Sequence, residues 1–95
     1  MKISAKDKIV VITGGVKGIG AAIASLFSEE GATVLILDIV NSGKRNVQKN
    51  NATDRFFLCD VSNHEQVKKV FNEIQQEFGR VDILVNNGIA FVGDS

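Results

Sequence analysis

The chain has 95 residues, enough for one small domain. Its composition is ordinary for a soluble globular protein, at 44% apolar and 23% charged. Lys plus Arg equals Asp plus Glu, 11 each, with no long basic run, so neither nucleic acid nor a membrane surface is expected as partner.

In chain order the pattern alternates strand and helix. Ile9 to Ile12 is a continuous apolar run, the mark of a strand covered on both faces, as in a parallel sheet. A glycine-rich turn follows, Thr13 to Gly20. Ile19, Ile23, Leu26 and Phe27 then form one apolar stripe at helical spacing, stopped by Gly31. Thr33 to Leu37 predicts a second strand, ending at Asp38. Asn41 to Asn51 is polar and weakly periodic and reads as a short helix. Phe56 to Cys59 predicts the third strand, ending at Asp60. Ser62 with Glu65 has the form of a capping box. Val67, Val70, Phe71, Ile74 and Phe78 mark the apolar face of the helix it would open, and Gly79 closes it. Val81 to Val85 predicts a fourth strand leading into Asn86-Asn87-Gly88.

Such alternation implies an α/β domain over residues 1–95, with a parallel sheet and right-handed crossovers. The expected strand order is 3-2-1-4, part of a Rossmann-type doubly wound sheet truncated after its fourth strand. The helices after strands one and two should share one face, and the helix after strand three should cover the other. The fourth strand would keep an open edge through which the chain could self-associate, and the piece is expected to be stable only when associated or within a longer chain.

The turn Gly14-Gly15-Val16-Lys17-Gly18-Ile19-Gly20 lies between a strand and a helix. Glycine there permits a sharp turn, close approach of a pyrophosphate, and tight packing of helix on strand. The helix start offers free N–H groups and the positive end of its dipole. Asp38 comes 18 residues after Gly20, at the end of the second strand. A carboxylate there can accept the ribose hydroxyls of an adenosine and repel a 2′-phosphate, which favours NAD over NADP.

The spacing Thr13-Gly14-x-x-x-Gly18-x-Gly20, with Asp60-Val61 and Val85-Asn86-Asn87-Gly88, resembles the short-chain dehydrogenases/reductases over essentially the whole chain. The resemblance implies that Gly14, Gly18, Ile19 and Gly20 line a nicotinamide dinucleotide and that Asp38 holds its adenosine ribose. It implies further that Asp60 and Val61 lie along the adenine, that Asn87 contacts the cofactor through its backbone, and that Asn86 ties the central strands together. The family's usual Asn-Asn-Ala-Gly reads Asn86-Asn87-Gly88-Ile89 here, as though an alanine were dropped before Gly88. Lys17 resembles the basic residue of NADP-preferring members. Asp38 opposes it directly at the ribose, and Ile39 adds no positive charge, so NAD stays favoured.

In that family a tyrosine acts as general acid/base, a lysine four residues on lowers its pKa, and a serine polarises the carbonyl, all later in the chain. This sequence has no tyrosine, and no residue of it is assigned a catalytic role. One cysteine and one histidine give no expected metal cluster and no internal disulfide. Cys59 reads as a buried strand residue and His64 as a solvated residue in the first turn of a helix. Met1 to Asp7 has no signal-peptide core and no apolar stretch approaches the ~18 residues of a membrane span, so a cytoplasmic location is expected. Two readings follow. One is the cofactor-binding front part of an NAD-dependent alcohol/ketone oxidoreductase, inactive by itself. The other is a non-catalytic dinucleotide-binding module or truncation remnant. A continuing reading frame with Tyr-x-x-x-Lys would separate them.

Overall fold

Four apolar runs pair as parallel strands in the computed structural model, which describes residues 5–39 and 54–87. The elements are β1 (Ile9–Thr13), α1 (Gly18–Glu29), β2 (Thr33–Asp38), β3 (Arg55–Leu58), α2 (His64–Phe78) and β4 (Ile83–Asn86). The sheet order is β3-β2-β1-β4, as the alternation predicts. In register, Val11 sits beside Leu35 on one side and Leu84 on the other, and Asp38 sits beside Leu58. The expected helix over Asn41 to Asn51 lies outside the described residues.

The two faces of the sheet explain why β1 and β2 carry unbroken apolar sequence. Alternate side chains of a strand point to opposite faces. Val10, Ile12, Val34 and Ile36 pack with Ala24 of α1, while Val11, Leu35 and Leu37 pack with Val70 and Ile74 of α2. Helices α1 and α2 therefore cover opposite faces, as expected. Burial of Val70 and Ile74 is worth about 1.5–3 kcal/mol per side chain and anchors α2.

Several boundaries differ from the sequence expectation. The buried line of α1 is Gly20 and Ala24, flanked by half-buried Ile23 and Phe27. Ile19 is 73% exposed and Leu26 is 44% exposed, so the four-residue stripe is corrected to two. Small residues bring the helix axis close to the sheet, and the larger ones are turned to its sides. The N-cap of α2 is Asn63, whose side chain accepts from the Gln66 N–H at 3.1 Å. Ser62 is diverted from that role because its hydroxyl and N–H both donate to the Asp60 carboxylate, at 2.6 and 3.0 Å.

β3 runs from Arg55, and Cys59 follows it rather than ending it, buried and donating its N–H to the Asp38 carbonyl at 2.9 Å. β4 begins two residues later than Val81. The Asp82 carboxylate accepts from the Ile9 N–H at 2.8 Å and from Arg80 Nε at 2.9 Å, fixing where β4 enters the sheet. The Ile9 N–H, and then Arg80, hold that carboxyl below the usual carboxylate range. His64 is exposed at the start of α2, as expected.

Candidate functional site

All four strands are parallel, so their C-terminal ends share one rim of the sheet. The glycine turn follows β1, Asp38 ends β2, Asp60 follows β3, and Asn87 follows β4. β1 lies between β2 and β4, where successive connections leave for opposite faces. Ligands of open α/β sheets bind outside the strand ends at such a switch point.

The turn is held from both sides. On one side it lies on the last three residues of β2. The Gly14 N–H donates to the Leu37 carbonyl at 2.8 Å, and the Val16 N–H donates to Asp38 Oδ2 at 3.2 Å. A Cβ on Gly15 would come within 3.0 Å of the Ile36 side chain. On the other side β4 reaches across. Thr13 Oγ1 donates to Asn86 Oδ1 at 3.1 Å, and Asn87 Nδ2 donates to the Gly14 carbonyl at 3.0 Å.

Gly20 shows why this arrangement demands glycine. An added Cβ would stand 2.1 Å from the Gly14 carbonyl oxygen and 2.5 Å from Asn87 Nδ2. The Gly14 carbonyl is backbone and cannot swing aside, and the Asn87 amide could turn away only by giving up its hydrogen bond to that carbonyl. Gly18 is required for another reason: its φ is +60°, with nothing within 4 Å of where a Cβ would point. Helix α1 starts at Gly18 itself, with Lys17 as N-cap, no side-chain cap and no acidic residue in its first turn. The first N–H groups of a helix have no partner within it and attract anions.

Of the residues singled out in the sequence, Gly14, Lys17, Gly18, Ile19, Gly20, Asp38, Asp60, Val61 and Asn87 all fall on this rim or on the turn. Gly88, with the departure from Asn-Asn-Ala-Gly, lies outside the described residues. Ile19 and Lys17 are exposed, and Val61 is half-buried against the α2 side of the core. The two N–H···O and O–H···O bonds from Ser62 hold the Asp60 carboxyl below its ordinary range, so it is ionised at neutral pH. Asp60 also donates its N–H to Gln66 Oε1 at 2.9 Å, which joins the rim to α2. Asp38 Oδ1 accepts from the Ile39 N–H at 2.7 Å.

Two contacts were not legible in sequence. The Asn87 side chain is committed to the turn through the Gly14 carbonyl. The Asp38 side chain binds the turn as well as ending β2. Both join residues far apart in the chain, and no local pattern signals them. Burial pushes the Cys59 thiol up, with the neighbouring Asp60 charge adding to it, which leaves the thiol protonated and unreactive. Among the described residues no group of three or more His, Cys, Asp or Glu could hold a metal, and no helix is long and apolar enough to cross a membrane. A groove of about 390 Å³ between β3 and α2, lined by Phe57, Leu58 and Val70 among others, includes none of the rim's glycines.

The chain resembles known proteins over nearly all of its length. A protein-family model described as short chain dehydrogenase matches residues 8–93. An L-fucose dehydrogenase of Bos taurus is 42% identical over 80 residues, 84% of this chain and 30% of that protein. An NAD-dependent glycerol dehydrogenase of Listeria innocua is 40% identical over 88 residues, 90% of this chain and 35% of that protein. Among solved structures, Cj0485 dehydrogenase superposes with a TM-score of 0.81 at 32% identity, covering 92% of this chain and 34% of that one. The chain thus spans about a third of the length of the curated relatives it matches.

Proposed function

Because the chain belongs to the short-chain dehydrogenase family, we propose that it is the nicotinamide-dinucleotide-binding part of an oxidoreductase acting on an alcohol or ketone. The observation that carries the reading is the crossing at Gly20, where the Gly14 carbonyl and the Asn87 amide leave no room for a side chain. Bare backbone is thereby presented at the start of α1, with no acidic side chain to oppose a phosphate. The residues fit the cofactor on those grounds.

In this reading Gly14, Lys17, Gly18, Ile19 and Gly20 hold the pyrophosphate side, and Asp38 accepts from the adenosine ribose. The Asp60 carboxylate and Val61 border the adenine, and Asn87 stands on the nicotinamide side. When bound, the dinucleotide supplies or accepts the hydride. This chain's own share is binding and orientation. No residue of it is assigned a catalytic role, and turnover by this chain alone is not expected. Asp38 favours NAD over NADP, since a carboxylate repels a 2′-phosphate. A cytoplasmic location accompanies the reading.

Parallel titrations of the chain with NAD and NADP test it. Tighter binding of NAD, by about tenfold or more, is the expected result. Equal or tighter binding of NADP overturns the ribose assignment, and binding of neither overturns the dinucleotide reading.

A further inference from the structure

We propose that Asp38 is also the positioning residue of the glycine turn: its carboxylate fixes the Val16 N–H, and through it the backbone that faces the pyrophosphate. Val16 is only 5% exposed, so its N–H has little access to water. A buried backbone donor without a partner costs about 1–3 kcal/mol. Asp38 Oδ2 accepts from it at 3.2 Å across 22 residues of chain. The contact is the last of three in a row. Ile36 packs on Gly15, the Leu37 carbonyl accepts from Gly14, and the Asp38 carboxylate accepts from Val16. The turn is laid residue by residue on the end of β2, and the third of these contacts is made by a side chain.

The second oxygen of the same carboxylate accepts from the Ile39 N–H at 2.7 Å. Each oxygen of the carboxylate thus accepts from a backbone donor, Oδ2 from Val16 and Oδ1 from Ile39. Asp38 couples the choice of ribose to the shape of the phosphate turn. Replacing it to admit a 2′-phosphate would loosen the turn that both dinucleotides use. This deepens the dinucleotide reading and rests on it for its ligand, but the anchor itself can be judged without any ligand.

The test compares Asp38→Ala and Asp38→Asn with the unmutated chain, in two measurements. The first is amide hydrogen exchange of Val16 without ligand. Asp38→Ala is expected to speed it by about tenfold or more. Asp38→Asn keeps an acceptor oxygen and is expected to hold it close to the unmutated rate. Unchanged exchange in Asp38→Ala overturns the anchor, whether or not any nucleotide binds. The second is affinity for 2′,3′-dideoxy-ADP, which lacks the hydroxyls that Asp38 would accept from. Asp38→Ala is expected to weaken it about fivefold or more, with Asn restoring it, because only the turn is at stake. Equal affinity in Asp38→Ala and the unmutated chain overturns the coupling. Failure of the unmutated chain to bind any nucleotide overturns the dinucleotide reading, and the exchange result still decides the anchor.

Discussion

Single atoms decide whether the rim can form. Gly20 and Gly18 stand two residues apart and are glycines for unrelated reasons, so their alanine variants should differ. Gly20→Ala sets a methyl group against the Gly14 carbonyl and the Asn87 amide, at separations no real Cβ tolerates. Backbone must move, breaking the Asn87–Gly14 hydrogen bond, and a loss of about 3 kcal/mol or more is expected. Gly18→Ala meets no atom and carries only the cost of a left-handed conformation, about 1–2 kcal/mol. Chemical denaturation of the two variants checks this. Equal losses, or a milder Gly20→Ala, would contradict the crossing on which the site reading depends. The glycine pattern itself was legible in sequence, but which glycine answers to a clash and which to a dihedral was not. That distinction depends on how the turn folds the Gly14 carbonyl back over the helix start, and on Asn87, 67 positions beyond Gly20 in the chain.

Between elements, the least expected tie is Asp54, just before β3. It is 6% exposed, and its carboxylate accepts from the Val34 N–H of β2 at 2.8 Å and from the Ser28 hydroxyl of α1 at 3.1 Å. Burial raises its pKa above the ordinary 3.8, more than those two donors and the Arg55 charge lower it. The folded chain therefore holds this proton more tightly than the unfolded chain. Stability is fully present below the unfolded pKa and is lost as pH rises through the raised folded value. Asp54→Asn, with an amide that can still accept from Val34, has no proton to lose there. Its stability relative to the unmutated chain should climb as pH rises from the ordinary carboxylate range through the raised folded value, and then level off. Parallel denaturation midpoints across that range would refute the assignment. Asp54→Ala leaves both donors unpaired and should cost about 1–3 kcal/mol at low pH, the cost shrinking as pH rises through the raised folded value. None of this was legible, since Asp54 sits 26 residues from Ser28 and 20 from Val34. The elements themselves were legible because β1 and β2 bury both faces and α2 repeats its apolar residues at helical spacing. The exceptions have local causes. Asp60 captured the serine that looked like a cap, and close packing at Gly20 and Ala24 turned Ile19 outward.

At the scale of the whole molecule, the two faces of the sheet are unequally covered at β4. Leu84 stands beside Val11 on the α2 side, yet Val11 is fully buried and Leu84 is 57% exposed. Among the described residues β4 is a terminal strand of the sheet. A second copy of the chain is the proposed occupant, since exposed apolar edge strands pair readily. Leu84→Lys should shift sedimentation toward monomer at concentrations where the unmutated chain associates; identical profiles for the two would remove the proposal. The ties that span the sheet also impose an order in time. Ile9 with Asp82, Thr13 with Asn86, and Gly14 with Asn87 each close a loop of 73 residues. Contacts so distant in sequence form late, and a chain made from its N-terminus must wait for partners 73 positions further on. The glycine turn is written among the first twenty residues, but it acquires its hydrogen bond from Asn87 only when the eighty-seventh has been made. Until then the growing chain carries the glycines of the candidate site without the clamp that shapes them.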